Sequence, residues 1–194
     1  MQKVLVTYTT NAGSTREVAE AIAEELRKNG TSVEVHSLEQ VEDLSPYTAV
    51  VVGGPMILGW HRGAVKFLKQ HQQALSRVPV AYFFTAMSLT RTGETQLDGV
   101  PLNFDPNLLK APKNPARLSF RERYATVKRY LGPVLKQAPQ IRPVSTAFFA
   151  GKVDYTRLKP LQMLFVMLII GAQPGDRRNW LAIRGWADSL HLSL

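Results

Sequence analysis

Short apolar runs alternate along this chain with longer segments whose apolar residues recur every three or four positions, and that alternation constrains the fold more than any other feature. Val4–Tyr8 is a β-branched apolar run, Thr9–Gly13 is a polar loop, and Ser14–Lys28 places Val18, Ala19, Ile22, Ala23 and Leu26 on one helical face before the stop signal Asn29-Gly30. The pattern repeats. Ser32–Leu38 alternates, Ala49–Val52 is the continuous apolar run of a strand buried on both faces, and Gly53-Gly54-Pro55 is expected to end it abruptly. Ala64–Leu75 reads as a helix, Val78–Phe84 as a fourth strand, Leu118–Lys136 as a helix and Pro143–Ala150 as a fifth strand. Arg177–Leu190 reads as a closing helix with Trp180 and Trp186. Strands alternating with helices imply right-handed crossovers, hence an α/β three-layer sandwich: a five-stranded parallel sheet with helices on both faces. In such sheets ligands bind beyond the carboxyl ends of the strands.

The 194 residues are enough for one sizeable core, and a single domain is expected. One stretch does not fit the alternation. From Ser88 to about Ala116 the chain carries Pro101, Pro106, Pro112 and Pro115 without periodicity, which predicts a long insertion loop with a functional role or high mobility. There is no cysteine, so disulfides, thiolate nucleophiles and Cys-ligated metal centres are excluded, and redox chemistry requires a bound cofactor. No metal is expected. The formal charge of +9 favours anionic partners over the surface, whether carboxylate-bearing molecules, anionic lipid or nucleic acid; no nucleic-acid motif is present. The first residues enter an apolar strand pattern with no basic or apolar leader, so a cytoplasmic protein is expected.

The segment Thr9, Thr10, Asn11, Ala12, Gly13, Ser14, Thr15 lies between the first strand and first helix, where amide groups and the positive helix end converge on an anion. It lacks the Lys of a triphosphate loop and the spaced glycines of a dinucleotide fingerprint, so a monophosphate fits better. Ser14 and Glu17 also have capping-box spacing, which would occupy the Ser14 hydroxyl without any ligand.

These residues, with Val4–Tyr8 before them, resemble the flavodoxin phosphate loop. Within that superfamily the chain is similar to the menaquinone-dependent protoporphyrinogen dehydrogenase family in further stretches: Tyr47–His61, Ala64–His71, Ala81–Thr90 and Phe149–Tyr155. The resemblance implies a flavodoxin-like sheet of order 2-1-3-4-5 and non-covalent FMN. It implies that Thr9–Thr15 hold the phosphate, and that Pro55, Met56, Ile57, Leu58, Gly59 and Trp60 form one flavin loop. Thr85, Ala86, Met87 and Ser88 would form a second, and Tyr155 would follow the fifth strand into the site. Met56, Leu58, Trp60 and Met87 could offer apolar contact to the rings; ordinary loop anchoring is the competing account for each. Two departures stand out: Ala12 replaces a residue often acidic in the family, and the loop 88–116 is longer than its counterpart.

The activity implied is transfer of electrons from a reduced tetrapyrrole to a quinone, with Arg62, Arg91 and Arg157 as partners for substrate carboxylates. The alternative is a flavodoxin-type electron carrier that docks on a redox protein; its difficulty is the basic charge, since such carriers are typically acidic. His61 and His71 are read as structural, and no catalytic residue is assigned. Leu161–Ala172 is the most hydrophobic stretch and as a helix would extend about 18 Å, short of a membrane core of roughly 30 Å. With Arg157, Lys159, Arg177 and Arg178 around it, it suits peripheral contact with an anionic membrane, a buried core helix or a homodimer face.

Overall fold

The computed structural model describes residues 2–56, 59–153 and 175–190. The chain runs through β1 (Lys3–Tyr8), α1 (Ser14–Lys28), β2 (Ser32–Ser37), a 3-10 turn (Leu38–Gln40) and β3 (Ala49–Pro55). It continues through α2 (Arg62–Gln70), α3 (Gln72–Leu75), β4 (Val80–Ala86), β5 (Leu89–Thr90), β6 (Gln96–Leu97), β7 (Val100–Phe104) and β8 (Leu109–Lys110). After α4 (Phe120–Tyr124), α5 (Val127–Tyr130) and α6 (Gly132–Gln137) come β9 (Ser145–Ala150), β10 (Lys152–Val153), β11 (Gly175–Asp176) and α7 (Trp180–Leu190).

The main sheet has the order β2-β1-β3-β4-β9-β7-β6. Its first five strands are all parallel and in the anticipated order. Alternate residues of each strand enter two cores: Leu5, Val50, Val52, Tyr82, Phe84 and Phe148 pack under α2, α3, α5 and α6, whereas Val4, Val6, Val51, Phe83 and Phe149 pack under α1 and α7. A strand covered on both faces needs apolar residues at every position, which is why these runs are continuous.

Three expectations need correction. The stretch 88–116 is not a structureless loop: β7 pairs in parallel with β9, Leu102 opposite Thr146, and β6 turns back antiparallel on it, so the sheet has seven strands rather than five. Prolines hid this, and their placement explains how they are tolerated: Pro101 is exposed near the sheet edge, and Pro106, Pro112 and Pro115 lie outside the strands. Gly53-Gly54 does not end β3, which continues to Pro55. A Cβ on Gly53 would sit 1.8 Å from the ring of Phe83, its neighbour on β4, so the glycine is required by ring packing inside the sheet.

The third correction concerns helices. The predicted helix 118–136 is three short ones, because Thr126 caps a new start by accepting from the Arg129 amide and Pro133 opens the last. The helix predicted over 64–75 likewise divides at His71, and the closing helix starts at Trp180 rather than Arg177.

Candidate functional site

The loop after β1 is fixed at its start by the Thr9 amide, which donates to the Gly53 carbonyl at 3.0 Å. Gly13 closes it with a φ of +87°, a left-handed conformation suited to glycine, and its amide donates to the Thr10 hydroxyl at 2.9 Å. The Arg16 and Glu17 amides both reach the Gly13 carbonyl, and no side chain caps α1. Ser14 is therefore the first helical residue and not the cap, so the capping box anticipated for Ser14 and Glu17 does not form. Among the described residues no side chain caps the first turn of α1, where backbone amides have no acceptor within the helix itself. Thr15 is buried and its hydroxyl lies 3.1 Å from that of Thr85 at the end of β4, tying this loop to the next one.

The segment after β3 is held at both ends. The Met56 amide donates to the Thr85 carbonyl at 2.8 Å, and the His61 amide donates to the Pro55 carbonyl at 3.1 Å. Met56 and Trp60 face each other across an isolated antiparallel bridge. Trp60 is only 6% exposed. Its indole N–H donates to the Gly54 carbonyl at 3.1 Å, and its ring packs on Phe84 and Tyr82. That is loop anchoring, the competing account for this residue. The Nδ1 of His61 accepts the Gly63 amide at the head of α2 and lies 3.2 Å from the Thr9 hydroxyl, which the same pattern makes a donor. His61 thus bridges the first and second loops through these two hydrogen bonds.

Beyond β4, Met87 and Ser88 are half-buried. The Gly151 amide donates to the Ala86 carbonyl at 2.9 Å. The Tyr130 hydroxyl donates to the Ser88 carbonyl at 3.2 Å, and burial pushes that phenol up to about 12. Three loops, 9–15, 55–61 and 85–88, therefore meet at the carboxyl edge of the sheet. Ile57, Leu58, Tyr155, Arg157 and the stretch 161–172 lie outside the described residues. Arg62 opens α2 and Arg91 follows β5; both are exposed.

One participant carries no local sequence signal. Arg178 lies 164 residues from Ser14, yet its side chain is 4% exposed and its guanidinium donates to the Ser14 carbonyl, to Glu17 at 2.7 Å and to Asp176 at 2.6 Å. It also sits over the Trp180 ring at 4.5 Å. The Arg178 hydrogen bond holds the Asp176 carboxyl below its ordinary range.

These features suit a phosphate-bearing cofactor. Residues 9–16 contain hydroxyls, amides and no carboxylate, and the nearest carboxylate, Glu17, is paired with Arg178. The model of a family described as "Flavodoxin domain" matches residues 5–178. The chain belongs to that family. It is an FMN-binding flavoprotein of the flavodoxin-like oxidoreductase class.

Among curated proteins, the chain is 31% identical over 84 residues to protoporphyrinogen IX dehydrogenase [quinone] of Escherichia coli (strain K12); the match covers 42% of this chain and 46% of that protein. The alignment thus spans less than half the length of the relative. Among solved structures, the rubredoxin oxygen:oxidoreductase of Desulfovibrio gigas matches with a TM-score of 0.53 at 13% identity, covering all of this chain and 36% of that one. The flavodoxin of Megasphaera elsdenii matches at 12% identity and a TM-score of 0.49, covering 75% of this chain and 84% of that one. No helix among the described residues is long and apolar enough to cross a membrane.

Proposed function

We propose that this protein is an FMN-dependent oxidoreductase of the protoporphyrinogen dehydrogenase kind, moving electrons from a reduced tetrapyrrole to a quinone. The observation that carries the reading is the 84-residue similarity to an enzyme of that name. Bound FMN would supply the redox chemistry. The chain's own residues would bind and orient it: Thr9–Thr15 would receive the phosphate at the start of α1, Pro55–Trp60 and Thr85–Ser88 would contact the ring system, and Tyr155 is assigned to the cofactor by the family resemblance. Trp60, fixed by Gly54, Phe84 and Tyr82, holds the second loop in shape. Exposed Arg62 and Arg91, with Arg157, pair with substrate carboxylates, which suits a charge of +9 and disfavours a carrier for basic partners.

Anaerobic mixing of the FMN-loaded protein with protoporphyrinogen tests the reading. Bleaching of the oxidised flavin band within seconds supports it. A band that persists for minutes overturns it, and reduction by a redox protein instead would establish the carrier. Arg91→Glu should raise KM for the tetrapyrrole about tenfold with little change in kcat; unchanged kinetics would remove Arg91 from substrate binding.

A further inference from the structure

The positive charge of this chain is unevenly placed. Residues 110–137 hold eight Lys or Arg and one acid, so this stretch carries +7 of the chain's +9. All eight cations are exposed. The single acid, Glu122, accepts the Lys113 and Ser119 amides at 2.7 Å each, which commits its oxygens to holding the segment's own backbone. Within this field stands Phe120, 76% exposed, on a helix whose only other aromatic, Tyr124, stacks with it at 6.5 Å and lies under Arg129 at 5.5 Å.

We propose that this face, with Arg91 at its border, docks on an anionic lipid surface, Phe120 entering the headgroup layer while Arg121, Arg123 and Arg129 meet the phosphates. Two observations select lipid over an acidic protein. Protein partners are read by patterns of both signs that fix register, whereas this face offers eight cations and one carboxylate already committed to its own backbone, the complement of a uniform anionic plane. An exposed phenylalanine on a short helix with Arg121 and Arg123, both exposed, also matches the aromatic-plus-basic composition of interfacial elements.

The position of the face gives it a use. α4 is bound to β5 by the Thr90 hydroxyl on the Glu122 carbonyl and the Thr90 amide on the Ala125 carbonyl, and β5 directly follows Met87 and Ser88. Docking would therefore bring the second flavin loop toward the bilayer. This deepens the proposed function, resting on it for the lipid-dissolved acceptor, but its test reads no turnover. Vesicle binding and flavin reduction can therefore fail independently of each other.

The test is co-sedimentation of the FMN-loaded protein with vesicles made of equal parts phosphatidylglycerol and phosphatidylcholine, against phosphatidylcholine alone. Binding to the mixed vesicles only, lost on raising salt, is the expected result. The double variant R121E/R123E should bind about tenfold or more weakly, and Phe120→Ser several-fold more weakly. Flavin absorbance and circular dichroism report that both remain folded. No sedimentation with mixed vesicles, or binding unchanged in R121E/R123E, overturns the proposal. So does soluble polyglutamate that displaces the protein from vesicles at equal charge concentration, since that result assigns the face to acidic proteins.

Discussion

Gly53 and Arg178 illustrate two kinds of constraint that single residues carry here. Gly53 reads as a strand terminator, because glycine before proline is turn punctuation; in the fold it is an interior strand residue whose missing side chain makes room for the Phe83 ring. Phe83 is wholly buried between β3, β9 and α1, so the ring has nowhere to withdraw. Gly53→Ala should cost about 1–3 kcal/mol in urea unfolding, whereas Gly30→Ala, with no heavy atom near the added methyl, should report only backbone strain. Equal losses in the two variants would contradict the packing account. Arg178 acts through charge. Its removal leaves Glu17 and Asp176 unneutralised beside the loop 9–15, proposed above to receive the FMN phosphate. Arg178→Ala should raise the FMN dissociation constant about tenfold, near 1.4 kcal/mol, and Glu17→Gln in that background should restore part of it. A double variant that binds FMN no better than Arg178→Ala would reduce Arg178 to a packing role, and titration of flavin fluorescence decides between them.

At the scale of elements, legibility followed periodicity. The unit β1, loop and α1 was read correctly because its apolar spacing switches from continuous to helical across one polar loop, and the same contrast located β2, β3, β4 and β9. Short elements escaped. β5, β6 and β8 have two residues each, too few for any period, and β7 contains Pro101, a signal against strand. The three helices α4, α5 and α6 merged into one prediction because their apolar residues keep helical spacing across breaks that capping chemistry makes. One cap was readable: Ser119 and Glu122 form a true capping box, the arrangement whose spacing Ser14 and Glu17 also have and which was the competing account of that loop. The difference lies at the residue before, since left-handed Gly13 takes the cap position of α1. Glu122, held by Ser119 and by the Lys113 and Ser119 amides, has its carboxyl lowered from an ordinary 4.5 to about 2. A lowered value means that the carboxylate stabilises the fold fully above pH 4.5 and ceases to as pH falls toward 2. Hydrogen exchange at the Lys113 and Ser119 amides, taken relative to the intrinsic amide rate at each pH, should accelerate over that acid window in the native protein. In Glu122→Ala it should already be fast at neutral pH and lose this acid-induced step; a step that survives the substitution would assign it to another group.

On the scale of the whole molecule, the question is whether the insertion between β4 and β9 is an appendage or part of the cooperative fold. Its length and prolines suggest an appendage. Asp105 argues otherwise: fully buried just past β7, it accepts the Ala150 amide at the end of β9, the Asn107 amide and the Asn179 side chain just before α7. One carboxylate thus joins the insertion, the last core strand and the closing helix at the carboxyl edge of the sheet. Backbone pairing adds to it, since β7 bonds β9 over Leu102–Phe104 and the Asp105 amide donates to the Phe148 carbonyl. Buried donors deprived of such an acceptor cost about 1–3 kcal/mol, and here the donors belong to three separated parts of the chain. Native-state hydrogen exchange should therefore find the β7 amides that pair with β9 protected to within about 1 kcal/mol of the β4 amides, exchanging through global unfolding. Asp105→Ala should lower protection at Ala150 and across β7 together while β1 and β2 keep theirs relative to the new global limit. Exchange of β7 several kcal/mol faster than β4 in the native protein would mark the insertion as an independently opening unit, and Asp105 as a local turn residue rather than a joint.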